Sequence, residues 1–213
     1  MSDAPTDAEV AVQRARWDER HAAAEAMPDP AAVLTENLHL LPERGRALDL
    51  ACGLGANALL LARHGLEVVA WDLSPVAVNR LRELARGMHL PIVAEARDVC
   101  ACPPAPESFD CIVVAHFLER TLAPALASAL RPGGLLFYQT FSQDGVSGRG
   151  PNNPKYRLAT NELLRLFPGL TLRFYREEGL VGDLGQGTRD LVQFIGQRPL
   201  ESNEQGPGLQ LND

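Results

Sequence analysis

The 213-residue sequence has no apolar run longer than a strand, so it offers neither a transmembrane span nor a signal-peptide core, and its start, MSDAPTDAEV, is polar and acidic. The chain is expected to work in the cytoplasm, away from membranes. Positive charge is also short: 20 Lys and Arg stand against 27 Asp and Glu, a formal net charge of -7. Nucleic-acid binding needs a basic face, often with interleaved aromatics, and aromatics here are only 6% with no such cluster; no nucleic-acid partner is expected. Cysteines number four, Cys52, Cys100, Cys102 and Cys111. The one close pair lacks a second half at metal-ligand spacing, which predicts reduced thiols and no metal site. At 46% hydrophobic, the chain is long enough for one buried core and too short for two, and predicts a single domain.

What is present is an alternation. A charged helical stretch over 6–26 is stopped by MPDP (27–30), and a short helix follows at 31–38. From residue 46, strand-length apolar runs alternate with helical ones: ALDLA (47–51), NALLLARH (57–64), EVVAWD (67–72), PVAVNRLRELAR (75–86), PIVAEARD (91–98), FDCIVVAHF (109–117), LAPALASAL (122–130) and GLLFYQTF (134–141). This predicts an α/β fold, a mostly parallel sheet with helices on both faces. After a helix at 160–167, LTLRFYREE (170–178) and DLVQFIGQ (190–197), joined by a glycine-rich link, predict an antiparallel hairpin at one edge. Residues 1–198 are expected to form the domain, with 1–40 as a helical cap, 46–141 as a ligand-binding core and 142–157 as a substrate loop. The tail, 199–213, has little to bury and is expected to be disordered.

In ALDLACGLGANALLLARHGLEVVAWD (47–72) the first strand runs into a helix through Gly53-Leu54-Gly55, where glycine permits positive φ and lets a ligand approach the backbone. Asp72 ends the next strand at the interval at which such folds hold ribose hydroxyls. Gly53-Leu54-Gly55-Ala56-Asn57-Ala58 also fits a dinucleotide fingerprint, so an NAD-dependent oxidoreductase is one reading. Asp49 opposes it. An acid just before the turn is unfavourable beneath a pyrophosphate and favourable beneath an ammonium or sulfonium. Its plainer role would be to cap the following helix.

Taken together, these residues resemble the class I S-adenosylmethionine-dependent methyltransferases. Asp49-Leu50-Ala51-Cys52-Gly53-Leu54-Gly55 is similar to the family's first motif, with Ala51 in the first glycine place; Asp72 and Leu73 match its ribose acid and apolar neighbour; Asp98 and Val99, in EARDV, match its adenine contacts; LRPGGLLFYQTF matches its fifth strand. The resemblance covers 46–141 and implies a Rossmann-like seven-stranded sheet, S-adenosylmethionine as cofactor, and methyl transfer to a small-molecule acceptor. It implies cofactor contacts from Asp49, Ala51, Gly53, Gly55, Asn57, Asp72, Leu73, Asp98, Val99 and Ala115. Asp98 can equally be a strand-ending turn residue. A binding module without turnover is a third reading, because no residue is obliged by the chemistry to be a catalyst.

The acceptor is expected above strands four and five. His116, at the end of strand four, is the ionisable group there, read either as a base or as packing over the cofactor. The aperiodic SQDGVSGRGPNNPKYR (142–157) reads as a binding loop or a solvated connection, with Arg149 and Tyr156 as acceptor contacts and Tyr156 as a second catalytic candidate. RWDERH and GPNNPKY resemble the TehB-like and thiopurine-type small-molecule methyltransferases, which suggests Arg16 and Trp17 over the cofactor. The strand pair that carries a histidine in TehB-like proteins here has Arg189 and none. The acceptor atom and the oligomeric state are not fixed by these residues.

Overall fold

A computed structural model describes residues 6–200. Seven strands form one sheet in the order β3-β2-β1-β4-β5-β7-β6: β1 (Arg46–Leu50), β2 (Glu67–Asp72), β3 (Ile92–Ala96), β4 (Phe109–Ala115), β5 (Leu130–Phe141), β6 (Thr171–Arg176) and β7 (Leu191–Gln197). The first five are parallel. β7 inserts antiparallel between β5 and β6, the edge hairpin expected from the glycine-rich link.

Six α-helices accompany the sheet among the described residues: α1 (Asp7–Ala22), α2 (Ala32–Thr35), α3 (Ala56–Arg63), α4 (Pro75–Gly87), α5 (Ala123–Ala129) and α6 (Glu162–Leu166). Alternate side chains of the strands feed two apolar layers. Ala47, Cys111, Val113 and Phe137 meet Leu34, Leu59 and Leu81 of α2, α3 and α4 on one face. Leu48, Ile112, Val114 and Tyr138 meet Leu126 and Leu163 of α5 and α6 on the other. Being covered on both faces, β1 and β4 read as continuous apolar runs. Because β1 connects outward to β2 while β4 lies on its other side, the carboxyl ends of β1 and β4 diverge into a crevice, the usual ligand position in such sheets.

The two N-terminal helices differ from the sequence reading, and β5 starts at Leu130, four residues before the run at 134–141. α1 ends at Ala22, before the MPDP stop, because Arg80 of α4 donates to the carbonyls of His21 and Ala24 and so satisfies the exposed helix end. The 31–38 helix is one α-turn followed by a 3-10 turn at Leu38–Leu40. The expected disordered tail beyond residue 200, and residues 1–5 of the expected cap, lie outside the described residues.

Candidate functional site

Between β1 and α3 the chain turns through three left-handed residues, Ala51 (φ 55), Gly53 (φ 53) and Gly55 (φ 86). A Cβ on Gly55 would stand 2.4 Å from the Leu81 side chain, which would have to shift, in addition to the strain of the left-handed backbone. Ala51 does occupy a conformation that favours glycine, at a cost of about 1–2 kcal/mol for an L-residue. The substitution is thus tolerated under strain, with the methyl group packed against the apolar layer that α5 and α6 cover.

Asp49, 1% exposed, aims into this turn. One oxygen, Oδ2, accepts from the Ala58 N–H at 2.9 Å, capping α3 where Gly55 has no side chain to do so. The other, Oδ1, is buried without a hydrogen-bond partner. Burial raises the carboxyl pKa to about 7, only partly opposed by the Ala58 N–H and by Asn57. Both expected roles therefore meet in one residue: a helix cap, and an unsatisfied acceptor suited to a cationic guest.

At the end of β2, Asp72 is 7% exposed and accepts from Gly53 N–H and Ser74 N–H, each at 2.8 Å. These bonds fix the carboxylate while each oxygen keeps a further lone pair for a hydroxyl. Ser74 caps α4, with Pro75 at its first position. Leu73 is half-buried beside it. Beyond β3, Asp98 Oδ1 accepts from Cys100 and Ala101 N–H, the turn role, which leaves Oδ2 outside those bonds. Val99 is buried in the apolar layer with Trp71 and Leu118. Asn57 is buried and receives Ala31 N–H at 2.8 Å, so it anchors the segment leading into α2. Ala115 ends β4, packed on the apolar layer that α2, α3 and α4 cover.

The sequence reading set Trp17 over the cofactor but missed Asp18 and His21, which lie over the turn. α1 has no buried residue, yet it places the His21 ring against Gly53, 3.3 Å from where a Cβ would be. Asp18 accepts from the Ser74 hydroxyl, and Trp17 stacks on His21. Desolvation lowers the His21 pKa, against the opposing pull of Asp72. Trp17, Asp18 and His21 share a helix face by their spacing, which was the available signal; Arg16 lies off it and is exposed, so it is not the residue that covers the turn.

His116 follows β4 at φ 56, donates its N–H to Gln139 O at 2.8 Å, and rests its ring 5.1 Å from that of Phe141. The residue is exposed at the rim, and desolvation against Phe141, with the charges of Arg149 and Arg20, lowers its pKa. Residues 142–157 are held by side chains. Arg157 donates to Pro151, Ser142 and Arg149 carbonyls, Asp190 accepts from Val146 and Ser147, and Arg120 reaches Lys155 O and Arg157 O. Gly150 packs on the Phe141 ring, the ring against His116, and the Arg149 charge acts on that imidazole. Tyr156, 44% exposed, sits in a separate 3-10 turn (Pro154–Tyr156), and no hydrogen bond or ring contact among the described residues joins it to His116. Arg189 spends its donors on Gln186, Gly179, Val181 and Asp183 carbonyls.

Residues 47–134 match a protein family described as "Methyltransferase domain". A ubiquinone biosynthesis O-methyltransferase of Xanthomonas axonopodis pv. citri (strain 306) is 34% identical over 122 residues, covering 54% of this chain and 51% of that one; the chain thus spans about half the length of that curated relative. The solved protein associated with "Conversion of a Disulfide Bond into a Thioacetal Group during Echinomycin Biosynthesis" superposes at TM-score 0.66 with 26% identity, over 91% of this chain and 93% of its own. TehB from Haemophilus influenzae gives 0.65 at 19% identity, over 86% and 67%, a likeness of fold alone. Sheet order, motif order and these matches agree: residues 47–134 are similar to a methyltransferase domain, set in the seven-stranded sheet that the sequence reading expected.

Proposed function

We propose that this chain transfers a methyl group from S-adenosylmethionine to a small-molecule acceptor, as an enzyme of the cytoplasm. The observation that carries the reading is the Asp49 carboxylate, buried beneath the glycine turn with Oδ1 unpaired. A diphosphate over that charge would be repelled in a low-dielectric setting, whereas the donor's ammonium and sulfonium would be attracted. That argument favours this reading over NAD-dependent redox chemistry.

The residues present fit the cofactor. Asp49 would receive its ammonium, Gly53 would let the backbone approach, Asp72 would accept the two ribose hydroxyls, and Leu73 with Asp98 Oδ2 would meet the adenine. When bound, the cofactor supplies an electrophilic methyl whose transfer disperses the sulfonium charge. The chain's own tasks are then to hold a nucleophile in line, keep water out and accept a proton if the nucleophile carries one. Desolvation, with the charges of Arg149 and Arg20, lowers the His116 pKa and so favours the neutral imidazole, which can accept a hydrogen bond from an acceptor hydroxyl or thiol. Its lowered basicity suits it to orienting that group more than to strong general-base catalysis.

The relatives' descriptions point to oxygen in one case and to sulfur in the other, so phenols and thiols lead the acceptor panel. Calorimetry with S-adenosylhomocysteine and NADH, followed by turnover of methyl-labelled donor against phenols, thiols and amines, tests the proposal. Binding of the sulfur nucleoside without NADH, and label transfer to one acceptor class, are expected. NADH binding in its place would overturn the reading, and donor binding without any transfer would leave a binding module.

A further inference from the structure

Arginines gather at the end of the sheet that bears the glycine turn and His116, and several are consumed by the protein itself. Arg120 forks onto Glu162 and two carbonyls. Arg157 and Arg189 spend their donors on loop carbonyls. Arg176 pairs with Glu178. Arg20 and Arg149 differ. Neither guanidinium has a hydrogen-bond or carboxylate partner among the described residues: Arg20 lies over the Trp17 ring at 5.4 Å, and Arg149 is bonded only through its backbone.

They converge from opposite sides. Arg149 is carried by the loop whose Gly150 packs on Phe141, the ring against His116. Arg20 is next in sequence to His21, which covers Gly53 at the end of β1, and β1 is the hydrogen-bonded neighbour of β4, which His116 follows. Both cations therefore flank the mouth of the crevice between the cofactor turn and His116, and both charges act on that imidazole. Asp190, the carboxylate that Arg149 also acts upon, already has Oδ1 and Oδ2 engaged by Val146, Ser147 N–H and the Ser147 hydroxyl. On a chain with a net charge of -7, two unpaired guanidiniums at one mouth form a local site for an anion, since each offers a planar fork matched to a carboxylate or phosphate.

Resting on the methyltransferase reading above, we propose that the acceptor is an oxyanion-bearing small molecule, held between Arg20 of α1 and Arg149 of the loop so that its nucleophile faces His116. Arg20 sits on the helix whose His21 already covers the cofactor turn, so an acceptor bound this way also adds a tie that holds α1 in place there.

Trp17, stacked on His21 beneath Arg20, supplies a readout independent of turnover. With S-adenosylhomocysteine present, benzoate and phenyl phosphate are titrated against their neutral counterparts benzamide and phenol while indole fluorescence is followed. Trp71 is buried and makes a constant background. At least one anion is expected to bind about tenfold tighter than its neutral counterpart, the worth of one charge-assisted contact, and to weaken as salt rises. Which of the two anions leads tells carboxylate from phosphate. Arg20→Gln and Arg149→Gln should each remove about tenfold of that preference, with S-adenosylhomocysteine affinity in Arg149→Gln unchanged by calorimetry. Equal binding of anions and neutral counterparts, or a preference that survives both substitutions, overturns the anion site while the methyltransferase reading stands. Failure of S-adenosylhomocysteine to bind the wild type removes that reading instead.

Discussion

Asp49 has one oxygen satisfied by α3 and one left empty in the interior, and the two halves of that arrangement pull in opposite directions. With its carboxyl raised from 3.8 to about 7, the folded protein holds a proton that the unfolded chain releases across that interval. The residue's contribution to stability is therefore present at low pH and lost as pH rises from about 4 towards 7, by roughly 1.4 kcal/mol per pH unit. Asp49→Asn keeps an acceptor for Ala58 N–H and removes the charge. In the cofactor-free state, denaturant unfolding of this variant should show a flatter pH dependence over that window, and greater stability than the wild type at pH 8 by up to a few kcal/mol. The same change should weaken the cofactor by about tenfold or more. Wild-type affinity should strengthen between pH 6 and pH 8, because a cationic ligand favours the charged acid. Superimposable pH profiles for the two proteins would show that the buried charge is not what this site is built around.

Helix α1 holds its place through polar ties at its carboxyl end and not through apolar burial: Asp18 on Ser74, and Arg80 on the carbonyls of His21 and Ala24. An element with no buried residue has low local stability and can open without unfolding the sheet. Arg80→Gln removes the double tie and leaves both apolar layers intact, since Arg80 belongs to neither. Limited trypsin digestion should then cut after Arg16 and Arg20 about tenfold faster, a gain of about 1.4 kcal/mol in opening. Global unfolding should move by only about 1 kcal/mol. If the helix stays as resistant as in the wild type, its docking depends on Trp17 and His21 instead. The element scale also marks where the sequence stops being informative. The helix was visible in residues 6–26, but its end is set by an arginine 56 residues or more further along the chain. Residues 142–157 carry no period because Arg157, Asp190 and Arg120 hold them through bonds to scattered backbone groups, which leave no repeating trace.

Across the whole molecule, the sheet was legible because β1, β4 and β5 are covered on both faces and so are mainly apolar along their buried stretches, and because glycine turns and acids fall at strand ends in a fixed order. The cofactor half of the site was legible for the same reason: Asp49, Gly53, Gly55 and Asp72 lie close in sequence, and their spacing is their geometry. The roof over it was not, since His21 meets Gly53 and Arg20 nears His116 only after α1 has crossed α4. We propose that sheet, loop and hairpin form one cooperative unit, with α1 laid on it through its polar ties. Both apolar layers support this, for each runs from the residues near the cofactor turn to β7 without a break. One unit has a consequence for binding: S-adenosylhomocysteine at about a hundred times its dissociation constant should add about 2.7 kcal/mol to the entire fold. For a chain of this size that raises the melting temperature by roughly 5–11 °C. Scanning calorimetry should show a single transition with matching calorimetric and van't Hoff enthalpies, shifted as a whole by the ligand. A second transition that stays in place on ligand addition would mean that the hairpin folds apart from the cofactor-binding core.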